Sequence, residues 1–137
     1  MKNIVLDTNC YAAYRIGHNR VLDALVSAET VYMSAIVLGE LYTGFKGGTK
    51  MLENQRQLDL FLAKPTVKIL DVGQESAEIF GEVKDRLKKS GTPLPINDVW
   101  IAAHTIESGS VLVSYDRHFM AIAGLRYWPY LSSSLGQ

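Results

Sequence analysis

Residues 3–7 read NIVLD, a short apolar run that ends at a carboxylate. No polar residue alternates with the apolar ones inside the run, which is typical of a strand buried on both faces of a parallel sheet. The same pattern recurs along the chain as VYMS at 31–34, VKIL at 67–70 and VLVS at 111–114. The segment LRYW at 125–128 predicts a last, edge strand, because Pro129 follows it.

Between these strands, apolar residues recur at the spacing of amphipathic helices. We predict five helices, marked by Val21, Leu22, Leu25 and Val26; by Val37, Leu38, Leu41, Tyr42 and Phe45; by Leu58, Phe61 and Leu62; by Ala77, Phe80, Val83 and Leu87; and by residues 98–107. Strands that alternate with helices predict an α/β fold, a three-layer α/β/α sandwich with a mainly parallel central sheet. We expect a single domain over residues 1–131 and a flexible tail over 132–137.

The composition excludes several classes of protein. The chain has 137 residues, of which 47% are hydrophobic, enough for one domain with a buried core. Fourteen basic residues balance fourteen acidic ones, which argues against a strongly basic nucleic-acid binder. A single cysteine, Cys10, excludes an intrachain disulfide and suits a reducing cytosol. Neither a signal peptide nor an apolar run of membrane-spanning length is present, so we expect a cytoplasmic protein without a membrane partner.

Acidic residues stand near the ends of the predicted strands, where open α/β sheets bind their ligands. Asp7 directly follows the first strand, and Asp116 lies two residues past the strand at 111–114. Asp98 opens the predicted helix that leads into that same strand. Glu40 lies in the helix after the strand at 31–34, beside an apolar stripe and one turn before Gly44. These four acids are therefore candidates for one shared site.

Each of the four also has an ordinary explanation. Asp7 is suited to cap the helix that follows it, and Asp98 or its neighbour Asn97 is suited to cap the predicted helix at 98–107. Asp116 is a common turn former within SYDRH, and Glu40 suits a solvated helix surface. Taken singly, these readings are at least as good as the functional one.

Convergence of all four acids would impose a strong electrostatic constraint. Two unit charges about 5 Å apart repel by roughly 3 kcal/mol at an effective dielectric constant of about 20. Four such groups form six pairs, for a crude total on the order of 20 kcal/mol, whereas a domain is stable by only about 5–15 kcal/mol. Converged carboxylates must then be protonated or neutralised by cations. Oxygen ligands suit Mg²⁺ or Mn²⁺, while the three scattered histidines and one cysteine offer no zinc set.

Four motifs together resemble those of PIN-domain ribonucleases. They are VLDTN at 5–9, SAIVLGELYTG at 34–44, INDVWIAAH at 96–104 and VLVSYDRHF at 111–119. The chain looks most like the VapC-type toxins of bacterial and archaeal toxin–antitoxin pairs, over nearly its whole length. The resemblance implies an α/β/α sandwich around a parallel sheet and endonucleolytic cleavage of RNA that depends on Mg²⁺ or Mn²⁺.

The resemblance also implies roles for particular residues. Metal-binding acids would be Asp7, Glu40, Asp98 and Asp116, which serve as the catalytic set, with Asn9 and Ser114 as polar helpers near the metal. One position departs from the family pattern, since relatives often carry asparagine where this chain has Tyr115, a position that bears on how water or substrate is held locally. Water attack with loss of the 3′ oxygen would leave a 5′-phosphate.

Basic residues near the motifs are candidates to hold the flanking phosphates of RNA, because an acidic pocket alone repels the substrate. They are Arg15, Lys46, Arg117 and His118. Ordinary solvated surface charge is an equally good explanation of each. Tyr127, Trp128 and Tyr130 could stack on RNA bases, although aromatic cover of an edge strand is the more ordinary reading.

The resemblance implies two protein partners, a second copy of the chain in a homodimer and a small antitoxin that docks near the acids. The apolar docking surface could come from Tyr42, Phe45, Leu58, Phe61 and Leu62, or the same residues could pack internally. We expect Cys10 and Trp100 to be core residues and His104 to be a hydrogen-bonded structural residue.

Two other functions fit parts of the sequence. A PIN-like domain that has lost catalysis would serve as a binding module, and Tyr115 keeps that alternative open. A phosphate-signalling receiver domain has a similar length and an acid after its first strand. It needs a second acid beside Asp7 and a lysine near the last strand, and the chain has no lysine after Lys89.

Overall fold

The computed structural model describes residues 2–128. They form a five-stranded sheet in the order β3-β2-β1-β4-β5, and every neighbouring pair is parallel. The strands span Asn3–Leu6 (β1), Thr30–Ser34 (β2), Val67–Leu70 (β3), Val111–Val113 (β4) and Tyr127–Trp128 (β5). The predicted parallel α/β fold is confirmed. The expected domain end and tail, and the aromatic Tyr130, lie outside the described residues.

Within residues 2–128, six helices connect the strands. They span Thr8–Arg15 (α1), Asn19–Ser27 (α2), Ala35–Lys46 (α3), Met51–Leu62 (α4), Gln74–Ser90 (α5) and Ile96–Glu107 (α6), and a short 3-10 helix covers Arg117–Ala121. The five predicted helices did not include α1, whose residues TNCYAAYR carry no regular apolar stripe, although Asp7 was recognised as suited to cap a helix there. Helix α6 begins at Ile96, earlier than expected, because the turn before it runs through Pro95 at the N-cap. No helix within residues 2–128 has the length and apolar character needed to span a membrane.

The centre of the sheet is fully buried. Ile4, Val5 and Leu6 of β1 and Leu112 and Val113 of β4 have no exposed surface. Burial on both faces explains why these strands lack polar alternation. The same expectation is wrong for β3, where Lys68 and Ile69 are exposed, because among the described residues β3 is an edge strand that pairs only with β2.

Several residues singled out in the sequence belong to the core. Cys10 and His104 are completely buried, as expected. Trp100 is only half-buried and stacks on Phe80, with ring centroids 4.0 Å apart.

Part of the expected docking surface for a partner is also internal. Leu58 is completely buried and Phe61 is 3% exposed, with the Phe61 ring packed 5.3 Å from that of Tyr11 and 5.0 Å from that of Tyr14. Of the two alternatives for Leu58 and Phe61, internal packing is therefore the one that the structure supports, since their apolar surface is used within the domain. Tyr42, Phe45 and Leu62 are half-buried.

The register of the strands aligns their carboxyl ends. Leu6 pairs with Val113 across β1 and β4, and Ser34 ends β2 on the other side of β1. The backbone N–H of Asp7 continues this pairing by donating to the carbonyl of Val113 at 3.1 Å. The first residues after β1, β2 and β4 therefore lie along one edge of the sheet.

Candidate active site

Asp7 lies at the centre of this edge, directly after β1, and is 4% exposed. Its Oδ1 accepts from the backbone N–H of Thr8 at 2.8 Å, so the predicted capping of α1 is real. Its Oδ2 accepts from the Ser114 hydroxyl at 2.7 Å. One carboxylate thus joins the start of α1 to the end of β4, and both of its partners are neutral groups.

Ser114 connects Asp7 to Asp116. Its side chain is completely buried, and its Oγ also accepts from the backbone N–H of Asp116 at 3.0 Å. Ser114 therefore lies where a polar helper was expected. Asn9 is exposed in the first turn of α1, and within residues 2–128 its side chain forms no hydrogen bond to the acids.

Glu40 is held by neighbours of two other acids. Its Oε1 accepts from the Thr8 hydroxyl at 2.5 Å, and its Oε2 accepts from the Asn97 side-chain amide at 3.2 Å. Thr8 follows Asp7 in the chain, and Asn97 precedes Asp98. Helix α3 therefore brings Glu40 to both α1 and α6, instead of leaving it solvated. The sequence analysis did not predict that Thr8 and Asn97 bind Glu40. Their position next to candidate acids in the chain is the signal that could have indicated it.

Asp98 faces the segment that follows β4. Its side chain is 15% exposed, and its Oδ2 lies 2.8 Å from Nε2 of His118. It does not cap α6, since the N-cap is Pro95 and no side-chain capping bond is formed there. Asp116 stands at the N-cap of the 3-10 helix and likewise forms no side-chain capping bond. The capping explanation thus holds for Asp7 but not for Asp98.

Electrostatic effects couple the four carboxylates. Burial raises the pKa of Asp7 to about 6, and the negative charges of Asp116 and Asp98 add to this, against the opposing hydrogen bonds from Ser114 and Thr8. Burial also raises the pKa of Asp98, helped by Asp116 and Glu40 and opposed by His118. Each of the four acids therefore interacts electrostatically with at least one of the others.

The side chains are not yet arranged around a common centre. Within the part of the chain that the structure describes, no three acidic, histidine or cysteine side chains could hold one metal ion as they are placed. Both oxygens of Glu40 accept hydrogen bonds, one from Thr8 and one from Asn97. One oxygen of Asp98 lies against His118.

The four basic candidates lie in two places. Arg117 and His118 directly follow Asp116 and are exposed, and His118 contacts Asp98. Arg15 and Lys46 are the last residues of α1 and α3, and each helix begins at the sheet edge. At 1.5 Å per residue, α1 carries Arg15 about 10 Å from Thr8. The structure thus brings Arg117 and His118 to the acids but leaves Arg15 and Lys46 at the far ends of their helices.

Tyr115 contacts the start of α2 through His18, the N-cap residue of that helix. Its ring packs edge to face on His18, with centroids 5.9 Å apart. Burial raises the pKa of its hydroxyl, with a smaller contribution from Cys10. The pKa of the Cys10 thiol is raised by burial and by the charge of Asp7, so the thiol is a poor nucleophile.

Comparison with known proteins identifies the family. The model of the PIN-domain family matches residues 4–125. Ribonuclease VapC2 of Rickettsia felis is 33% identical over 93 residues, 68% of each chain. Ribonuclease VapC2 of Haemophilus influenzae is 35% identical over 101 residues, 73% of this chain and 75% of the relative.

Solved structures agree with the sequence comparison. VapBC2 from Rickettsia felis, bound to a DNA fragment from its promoter, has a TM-score of 0.81 at 28% identity and covers 92% of this chain and 97% of that one. DNA-bound VapBC from Salmonella typhimurium has a TM-score of 0.82 at 26% identity, covering 93% and 98%. With a family model matched over most of its length and two relatives more than 30% identical, this chain belongs to the PIN-domain family, among its VapC-type members.

Proposed function

We propose that this chain is an endoribonuclease toxin that cleaves RNA with a divalent cation, Mg²⁺ or Mn²⁺, held by Asp7, Glu40, Asp98 and Asp116. The relatives named above are ribonucleases, and the similar structures are VapBC complexes. The observation that carries the metal proposal is Asp7, a buried carboxylate whose hydrogen-bond partners are neutral and whose neighbours repel its charge.

The donors suit such an ion in their chemistry. All four side chains offer carboxylate oxygens, the ligands that Mg²⁺ and Mn²⁺ prefer. A cation would stabilise the ionised forms that burial and mutual repulsion disfavour at Asp7 and Asp98. Each carboxylate oxygen has more than one lone pair, so Glu40 can contact an ion while it keeps its bonds from Thr8 and Asn97, and Glu40 and Asp98 both keep exposed surface that permits binding.

Each neighbouring residue has a defined task in this proposal. A bound divalent ion supplies a water of lowered pKa and neutralises charge that grows on the phosphoryl oxygens. Ser114 orients Asp7 and fixes the backbone of Asp116, while Thr8 and Asn97 hold the two oxygens of Glu40. Arg117 and His118, which are exposed beside Asp116, would contact the phosphates that flank the cleaved bond.

The partners of the chain follow from its relatives. The similar structures are complexes of VapB with VapC, so we propose that a small antitoxin binds this chain and silences it. A homodimer remains a prediction from the family resemblance. Since Leu58 and Phe61 are buried, the antitoxin must use other surface.

Two alternatives lead to different experiments. The receiver-domain alternative is set aside, because the matching family is the PIN domain. A binding module without catalysis would bind RNA and leave it intact, whereas the proposed enzyme cuts it.

The test compares RNA cleavage by the wild type and by Asp98→Asn, with Mg²⁺ and with EDTA. The control is Asp23→Asn, which changes an exposed acid of α2 in the same way. We expect the wild type and the control to cut RNA only with the metal, and Asp98→Asn to lose cleavage. Cleavage that persists in EDTA would rule out the metal mechanism, and full activity of Asp98→Asn would remove that residue from the site.

A further inference from the structure

We propose that His104, acting through Ser34, is a positioning residue that sets helix α6 against helix α3 and thereby fixes the spacing of Glu40 and Asp98. The proposal rests on the proposed function only in that these two acids hold the cation. His104 itself touches none of the four acids through a hydrogen bond within residues 2–128. His104 would affect the site through helices α3 and α6, which carry Glu40 and Asp98.

The hydrogen bonds of His104 define its protonation state. Nε2 lies 3.1 Å from the carbonyl oxygen of Asp71, which can only accept, so Nε2 carries the proton. Nδ1 lies 2.8 Å from the Ser34 hydroxyl and, in the neutral ring, must accept from it. Burial lowers the pKa of His104, which agrees with a neutral ring. The ring therefore forms two directed bonds to two different elements.

Ser34 transmits this contact to the start of α3. It is completely buried at the end of β2, and its Oγ accepts from the backbone N–H of Ile36 as the N-cap of that helix. The same oxygen donates its proton to His104. The first turn of α3 and a late turn of α6 are thus held by one hydroxyl group.

Two side-chain hydrogen bonds connect α3 to α6, and we call them the inner rung and the outer rung. The inner rung joins Ser34 to His104, and the outer rung joins Glu40 to Asn97. Because the start of each helix lies opposite a later part of the other, the helices run antiparallel. From residue 34 to residue 40 the chain rises about 9 Å, and from residue 97 to residue 104 about 10 Å. The two spacings match, so both bonds can form at once, and in our proposal the buried inner bond sets the helix separation at which the outer bond forms.

The structure of histidine allows a matched pair of variants. Asparagine places an amide oxygen near the position of Nδ1, so His104→Asn keeps an acceptor for Ser34 and loses the bond to Asp71. Glutamine places its amide near the position of Nε2, so His104→Gln keeps a donor for Asp71 and loses the rung to Ser34. Both variants give up one buried hydrogen bond and ring volume, and they differ in which bond is lost.

The experiment measures Mn²⁺ affinity by calorimetry, stability by urea unfolding in EDTA, and RNA cleavage. We expect both variants to lose similar stability, because each loses one bond of the buried ring. We expect His104→Gln to bind Mn²⁺ about 10- to 100-fold more weakly, the usual effect of losing support for metal ligands, and His104→Asn to bind it like the wild type. Ser34→Ala removes the same bond together with the cap of α3, so it should also weaken Mn²⁺ binding, and it provides a second test if His104→Gln fails to fold.

The outcomes separate this inference from the proposed function. Equal Mn²⁺ affinity in the two histidine variants, or affinity that only follows stability, would overturn the positioning role while leaving the metal site intact. Wild-type protein that neither binds Mn²⁺ nor cuts RNA would overturn the proposed function and this inference with it. If His104→Gln and Ser34→Ala act on the same contact, combining them should weaken binding no further than Ser34→Ala alone.

Discussion

The buried carboxylate of Asp7 should make the metal-free protein less stable than a variant with a neutral side chain at this position. Its charge is desolvated and repelled by Asp98 and Asp116, so the folded protein favours the protonated form. Replacing it in Asp7→Asn removes the charge and keeps an amide that can accept from the N–H of Thr8 and donate to the oxygen of Ser114. We therefore expect this substitution to stabilise the fold and to abolish RNA cleavage.

The size of the effect follows from the pKa. Folding raises the pKa of Asp7 from 3.8 to about 6, which corresponds to about 3 kcal/mol when the carboxylate is ionised in both states. Below pH 3.8 the group is protonated in both the folded and the unfolded protein, so the cost vanishes. It grows as the pH rises toward 6 and is constant above that. Allowing about 1 kcal/mol for the altered bond to Ser114, Asp7→Asn should gain about 2 kcal/mol at pH 8.

The assay is urea unfolding in EDTA at pH 4, 6 and 8, followed by tryptophan fluorescence. The half-buried Trp100, stacked on Phe80, is a suitable reporter because unfolding exposes it. The free energy of unfolding of Asp7→Asn should be closest to that of the wild type at pH 4 and should exceed it most at pH 8. The control Asp23→Asn should show no such trend. A variant that is no more stable than the wild type at pH 8, or a gain independent of pH, would refute the electrostatic reasoning.

Two further predictions concern the surroundings of the acids. Thr8→Val removes the hydroxyl that donates to Glu40 while keeping a similar shape. The Mn²⁺ affinity, measured by calorimetry, should fall about tenfold. Unchanged affinity would show that Thr8 does not orient Glu40. Phe61→Ala removes a ring packed between Tyr11 and Tyr14, and urea unfolding should show a loss of about 3–5 kcal/mol with Mn²⁺ binding by the folded protein retained. A small loss of stability would instead return Phe61 to the candidates for a docking surface.

The sequence was most informative where local pattern and fold agree. Strands β1 and β4 were predicted because central strands of a parallel sheet are buried on both faces and must be apolar throughout. The edge strand β3 carries the same apolar pattern but exposes Ile69, since its position in the sheet depends on strand order and not on its own residues. Helix α1 was absent from the predicted helices because residue type does not distinguish its two faces, since Ala13 is buried whereas Ala12 is exposed.

The candidate site was predicted in part for a similar reason. Strand ends are visible in the sequence, so Asp7 and Asp116 could be placed at one edge without coordinates. The pairing of His118 with Asp98 joins residues from different elements, and the distance between them in the chain gives no sign of it. The same holds for Ser34 and His104, whose contact depends on how α3 and α6 pack.

The central claim is that four acids, distant along the chain, share a divalent cation. The most direct test is a titration with Mn²⁺ in which binding is monitored by the loss of the paramagnetic resonance signal of free Mn²⁺. It is carried out on the wild type and on Asp7→Asn, Glu40→Gln, Asp98→Asn and Asp116→Asn. The account predicts that the wild type and the Asp23→Asn control bind Mn²⁺ equally and that all four site variants bind it more weakly. Wild-type affinity in the site variants would contradict it.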